Sequence, residues 1–196
     1  LAVMGILVAS AVALFESNIK RLLAFSSVAQ VGYMLLGAST VSLLGLTASL
    51  AHMFNHALAK GALFLAVMCL AMRLPSLELD DLAGAAKRMP WTMTAFVIGG
   101  LSLIGVPGTA GFISKWYLIS GGIAVGHWGY VAALLFSSLV NLVLFFRIFE
   151  IAYFEPFVDH HGHGSSNGHD ASVVAEAPIQ VLVPLVISAV TLVVLG

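Results

Sequence analysis

In the stretch AHMFNHALAKGALFLAV, His52, His56 and Lys60 follow one another at four-residue intervals. On an α-helix that spacing stacks the three side chains along one face, with Asn55 beside them. A second lysine, Lys115, comes soon after a glycine-proline-glycine run in GVPGTAGFISKWYL. Both stretches are otherwise apolar, which places both lysines at membrane depth. A mid-membrane lysine costs about 2.5–3.5 kcal/mol on insertion scales, and such residues line water or face partners. Snorkelling does not relieve Lys115, which lies about eleven residues, or ~16 Å at the helical rise, from the end of its segment. The chemistry this favours is proton transfer. Imidazole takes up and releases a proton near neutral pH, and a desolvated lysine can switch between charged and neutral forms. One buried histidine alone would read as a packing residue; three titratable groups in register point to a relay.

The elements that must carry these groups follow from composition. Of 196 residues, 60% are hydrophobic and 9% charged, and the mean hydropathy is +1.05. A soluble domain carries roughly 25% charged residues, so most of this chain is built for lipid. Eight Lys+Arg against nine Asp+Glu exclude a basic nucleic-acid-binding surface. The single cysteine, Cys69, excludes an internal disulfide and a cysteine-based zinc site. Apolar runs cover 1–15, 22–39, 43–72, 91–126, 128–154 and 173–196. Backbone groups in lipid must be paired internally and no barrel-like alternation is present, so these are helices. The expected fold is all-α, a polytopic transmembrane helix bundle. The chain starts without a charged leader and ends inside an apolar run, so we expect it to be an internal or C-terminal piece of a longer protein.

The run at 91–126 is interrupted by Gly105-Val106-Pro107-Gly108-Thr109-Ala110-Gly111. Proline removes a backbone donor and glycine permits unusual dihedrals, so a continuous helix is disfavoured. A hairpin of two short helices and a single crossing broken at mid-membrane both fit. Each half is short of the ~20 residues a crossing takes, which favours one discontinuous helix broken around Gly105–Gly108. With a single crossing, Lys20, Arg21, Arg73, Lys87, Arg88 and Arg147 all fall on one side. The other side, around Thr40 and Gly126-His127, receives no Lys or Arg. The positive-inside rule then puts the basic loops in the cytoplasm of a cell inner membrane. A hairpin would reverse the segment at 128–154, and charge alone does not exclude that.

Other polar features carry less. The 73–90 loop mixes acids and bases and reads as a solvated connector. The 155–170 stretch holds Asp159, His160, His161, His163, His169 and Asp170 among glycines and serines; a metal site is conceivable there, but the composition reads as a polar link. Arg147 and Glu150 are spaced to pair, and Asn141 with Ser137-Ser138 could either hydrate a channel or bond between helices.

The runs ESNIKRLLAFSSVAQVGYMLLG, HMFNHALAKGALFL, LAGAAKRMP and LSLIGVPGTAGFISKWYLI closely resemble the antiporter-like membrane subunits shared by respiratory complex I and the Mrp-type multisubunit cation/proton antiporters. The resemblance covers about residues 16–154, and GFISKWYLI looks most like the Mrp D-type subunit. It implies that 1–154 form the second of two inverted five-helix repeats, a half-channel whose discontinuous helix is the 91–126 run. It further implies that 155–172 form a loop and 173–196 an additional transmembrane helix. By the same resemblance Lys115 matches the lysine on the proton exit side, where one branch has glutamate, and Lys60, His56 and His52 match a hydrophilic row on the preceding helix. The glutamate and lysines of the first repeat have no counterpart in this chain. Other membrane subunits are the implied partners. No quinone, flavin or iron–sulfur ligands are visible, so no cofactor is expected on this chain and any redox chemistry would belong to its partners.

Three function classes follow. The leading one is proton or cation/proton translocation by one subunit of a multisubunit complex through Lys115, Lys60, His56 and His52. The second makes the chain a non-catalytic pumping subunit of an NADH:quinone oxidoreductase or membrane-bound hydrogenase. The third, a self-contained secondary transporter, requires a polar substrate pocket at the helix break.

Overall fold

The computed structural model describes residues 1–156 and 176–196, and over these the chain is a bundle of helices. They are α1 (Ala2–Leu14), α2 (Ile19–Ser39), α3 (Leu43–Ala71), α4 (Ala85–Arg88), α5 (Pro90–Ile104), α6 (Ala110–Ala124), α7 (Trp128–Phe154) and α8 (Ile179–Val194). Small polar residues mark where helices begin. Asn18 accepts from the Lys20 amide and Ser42 from the Gly45 amide, which satisfies donors that the first helical turn leaves free. Pro90 opens α5, where its missing N–H is not needed. Helices α2, α3 and α7 are long and apolar enough to cross a membrane. Large side chains such as Phe54, Phe64, Leu139 and Phe146 face outward, as a lipid-solvated surface allows.

α3 is the central helix, flanked by α2, α5, α6 and α8. The pairing along α3 decides between hairpin and broken helix. Arg73, just past the end of α3, donates to the Glu176 carbonyl, and the Glu176 carboxylate accepts from the Trp91 amide at the start of α5. Further along, Gly99 packs on Leu63. Asn55 then donates to the Ala110 carbonyl at 2.7 Å, and Gly121 lies on the backbone of Gly45. Residues 91, 99, 110 and 121 therefore descend α3 in order. Trp91 and Gly126 sit at opposite ends of the bundle, and α5 and α6 make one interrupted crossing. At 15 residues each, either half spans about 22 Å, less than the ~30 Å hydrocarbon core.

The hydrophobic core is uneven. A large cluster joins α2, α3, α5, α7 and α8 near the basic loops, with Leu23, Leu70, Phe96, Phe145 and Ile148 at its centre. A smaller one, around Ile6, Tyr33, Leu118 and Leu134, fills the opposite end. The 73–90 loop departs from the expected solvated connector. Leu77, Leu79, Leu82, Ala85, Ala86 and Met89 are buried in the large cluster, while the acids Asp80 and Glu78 face out. The loop is anchored by backbone bonds from Ile19 N to Leu77 O at 3.0 Å and from Leu79 N to Ser17 O at 2.9 Å. An amphipathic connector that pairs its backbone with the α1–α2 turn can close the end of a bundle, and this one does. The His-rich stretch falls mostly in 157–175, outside the described residues.

Candidate functional site

The break between α5 and α6 is built around Lys115. Gly105 caps α5 with φ +89°, a left-handed conformation that side chains disfavour. The end of a helix leaves carbonyls without intrahelical partners. The Lys115 ammonium takes up two of them, donating to Leu103 O and Ile104 O at 2.9 Å each. Its third donor reaches Ser138 Oγ on α7, also at 2.9 Å. The ring of Tyr33 on α2 lies under the same nitrogen, 5.4 Å from its centroid. Lys115 is 5% exposed, so it reaches inward to the break and not out to the interface. On the other side of the break, the Gly111 amide donates to Ser102 Oγ. A side chain at 111 would run into the Ser102 carbonyl.

Lys60 sits on an unbroken helix and points to α2. Its ammonium donates to Leu23 O and to Ser26 Oγ, both at 2.6 Å, and it is 6% exposed. Among the described residues neither lysine meets a carboxylate; Arg21 pairs with Glu16 at 3.0 Å, near the membrane end of α2. Arg147 and Glu150, though spaced to pair, form no ion pair with each other.

His52 ties α2 to α6. Its Nε2 lies 2.9 Å from Gln30 Oε1, and its Nδ1 lies 3.0 Å from Ser114 Oγ, the residue before Lys115. An amide oxygen only accepts, so this pairing puts the His52 proton on Nε2 and leaves Nδ1 to accept from Ser114. The His56 ring stacks on His52 with centroids 6.3 Å apart and stands one turn from Lys60. A narrow cleft of about 10 Å³, room for a single water, opens here, lined by Gln30, His52, Asn55, His56, Ser102 and Gly111. Gln30 Nε2 and His56 Nδ1 are buried beside it without a hydrogen-bond partner among the described residues. Polar atoms so placed are suited to holding a bridging water.

All four of the residues singled out in the sequence, His52, His56, Lys60 and Lys115, thus lie in one interior band between α2, α3 and α6. Each lysine has its own carbonyl partners, Leu23 O for Lys60 and Leu103 O with Ile104 O for Lys115, and neither lines the cleft at His52. Ser26, Gln30, Tyr33 and Ser114 were not singled out. The signal was present, since Ser26, Gln30 and Tyr33 repeat at i, i+4 and i+7 along one face of α2. Asn141 turns out to bond its own helix, donating to Ser137 O.

A discontinuous helix with a lysine in its break, packed across a spanning helix that bears histidine and lysine, defines a polytopic membrane helix bundle of the broken-helix type. Residues 1–141 match the family described as NADH:quinone oxidoreductase/Mrp antiporter, TM, and the chain belongs to that family. The NADH-quinone oxidoreductase subunit N of Desulforudis audaxviator (strain MP104C) is 40% identical over 198 residues, covering 100% of this chain and 40% of that protein. Hydrogenase-4 component B of Escherichia coli (strain K12) is 44% identical over 116 residues, 54% of this chain and 17% of the relative. Among solved structures, a chain of the Mrp complex from Dietzia sp. DQ12-45-1b superposes with a TM-score of 0.86 at 25% identity, covering 100% of this chain and 42% of its own. A chain of the archaeal membrane-bound sulfane sulfur reductase gives 0.84 at 31% identity, with 100% and 31% covered. The chain spans about two fifths of the length of the first of these curated relatives.

Proposed function

We propose that this chain moves protons across the membrane as one subunit of a multisubunit complex, using Lys60, His56, His52 and Lys115. The observation that carries this reading is the pair of buried ammonium groups without carboxylate partners, together with His52, which bonds Gln30 on α2 and Ser114 on α6 through its two ring nitrogens. A fixed structural charge would be better served by a carboxylate, because an unpaired buried charge is strongly unfavourable. Carbonyl and hydroxyl partners accept bonds from either a charged or a neutral amine, so the proton can come and go. The cleft at the break, with about 10 Å³ of space, is far smaller than the 300–1,000 Å³ of small-molecule sites, which disfavours a self-contained solute transporter. In this reading residues 1–154 form a half-channel repeat with α8 as an added helix, other membrane subunits are the partners, and no cofactor is bound here.

The connections bearing Lys20, Arg21, Arg73, Lys87 and Arg88 gather at one end of the bundle, tied together by the Asn18–Glu78 bridge. That asymmetry supports an inner-membrane location with this end in the cytoplasm. Within the family, the 40% identity to a subunit N across the whole chain favours a second reading of the assembly. There the chain is a pumping subunit of an NADH:quinone oxidoreductase and not of an Mrp antiporter, and the oxidoreductase chemistry belongs to other subunits.

The test is proton transport into vesicles holding the full-length protein in its native complex. Lys115→Ala should abolish transport while subunit content stays normal. A Lys115→Ala complex that assembles and pumps at the normal rate would overturn the reading.

A further inference from the structure

Beside Lys115 lies a group of hydroxyls, one of them on Tyr33, whose ring also meets the His52 ring at 5.7 Å between centroids. Lys115 Nζ donates to Ser138 Oγ at 2.9 Å. One residue back on α7, Ser137 Oγ is 2.6 Å from Ser10 Oγ on α1, and both serines are buried. The Tyr33 hydroxyl stands beside Ser137 and Ser138, fully buried and completing a bond of ordinary geometry to neither. A buried phenol without a settled partner is unfavourable. Its position between two serines lets it bond either one in turn. α1, α2 and α7 thus each contribute a hydroxyl to one point in the bundle.

Toward the end away from the basic loops, an open cleft of about 380 Å³ is lined by Ser39, Thr40, His127 and Tyr130. Val3, Leu36 and Gly129 form the rest of its wall. Ser10 and Val3 are seven residues apart on α1, as are Ser137 and Tyr130 on α7, so about 10 Å separates hydroxyl cluster from cleft. Ile6, Leu118 and Leu134, each fully buried, fill that interval together with Leu36. A short apolar collar between polar chambers is a gate that opens by taking up water.

We propose that a proton on Lys115 leaves through Ser138, Tyr33, Ser137 and Ser10 into the cleft at His127 when the Ile6–Leu36–Leu134 collar hydrates. At each hydroxyl the incoming proton forms a new O–H bond as the original O–H breaks. Lys115 is left as a neutral amine, one proton reaches the cleft, and nothing is oxidised or reduced. The proposal rests on the proton-translocation reading above and adds to it the exit path.

The experiment uses vesicles containing the full-length chain in its native complex. Tyr33→Phe keeps the ring and removes the bridging hydroxyl, and should slow driven proton transport about tenfold, since a positioned proton donor contributes at least that much. Ile6→Ser wets the collar and should produce a passive proton leak in undriven vesicles, one that vanishes in Ile6→Ser/Lys115→Ala. A leak from misfolding would not depend on Lys115, so the double variant separates the two. Full transport in Tyr33→Phe, or a leak that persists without Lys115, overturns the exit path even where Lys115→Ala alone abolishes pumping. Full pumping by Lys115→Ala instead overturns the reading beneath it.

Discussion

Lys60 and Lys115 are two buried lysines held in different ways. Lys60 reaches across to an intact helix and borrows Leu23 O, a carbonyl that also accepts from Ser26 and Ser27 hydroxyls. Lys115 occupies a helix end whose carbonyls have no other partner in the helix. Remove the ammonium and Leu23 O keeps its serines, whereas Leu103 O and Ile104 O lose a donor. The lesson concerns how much surrounding structure depends on each charge. Lys60 is an addition to a finished helix; Lys115 completes an unfinished one. The neighbouring glycines repeat the contrast. A methyl group on Gly61 would meet nothing within 4 Å, while one on Gly105 would stand 2.8 Å from Lys115 Cδ.

The sharpest way to break this comparison is Lys115→Arg. Guanidinium still supplies charge and donors but does not release a proton at physiological pH. Transport should fall by about a hundredfold or more, the contribution of a positioned proton-transfer group, with complex assembly unchanged. Normal pumping by this variant would reduce Lys115 to a fixed charge.

Gly105→Ala comes next. Left-handed backbone costs a non-glycine residue about 1–2 kcal/mol, and the new methyl displaces the Lys115 stem. Thermal unfolding of the purified complex should begin at lower temperature, and transport should fall by about tenfold, the equivalent of some 1.4 kcal/mol. Unchanged rates would show that the break tolerates a shifted ammonium.

A smaller loss is expected for Ser26→Ala, which leaves Lys60 with Leu23 O alone. One hydrogen bond to a charged group is worth about 1.5–3 kcal/mol, and a water can replace much of it, so initial pumping rates should drop only a few-fold. Gly61→Ala should leave transport untouched and raise stability by about 0.5–1 kcal/mol, as expected for an unobstructed helical glycine. If it impaired pumping as much as Gly105→Ala, the two lysine sites would not differ as described.

The broken crossing was readable because glycine and proline act on the backbone itself, wherever the segment is placed. The His52–His56–Lys60 row was readable because titratable groups in an apolar run stand out against their neighbours. The α2 contribution was harder. A lone serine in a membrane helix usually bonds its own preceding turn, as Ser27 does with Leu23 O, and only its register with Gln30 and Tyr33 separates Ser26 from it. Nor does apolar pattern reveal which face of α2 meets α3, since lipid and protein interior are equally apolar. The burial of the 73–90 loop escaped for a related reason. Its leucines and acids alternate too irregularly for either helical or strand periodicity to flag them, and the Ser17–Leu79 and Ile19–Leu77 bonds that fold it inward are made by backbone atoms.

The Glu176 carboxylate at the start of α5 has a consequence for the ammonium at its other end. Aligned peptide units give a helix a partial positive charge at its N-terminus and a partial negative charge at its C-terminus. In α5 both poles are compensated, the first by Glu176 through Trp91 N and Thr92 Oγ1, the second by Lys115. Glu176 belongs to the segment leading into α8 and is held in turn through its backbone by Arg73, so the positive pole is fixed from three elements. The negative pole depends on the Lys115 ammonium. Were Lys115 neutral, the half-helix dipole would be balanced at one end only, and the imbalance would fall on residues 103–105, where the backbone already turns through a glycine. The charge state of one side chain thereby sets the electrostatic balance of an entire half-helix.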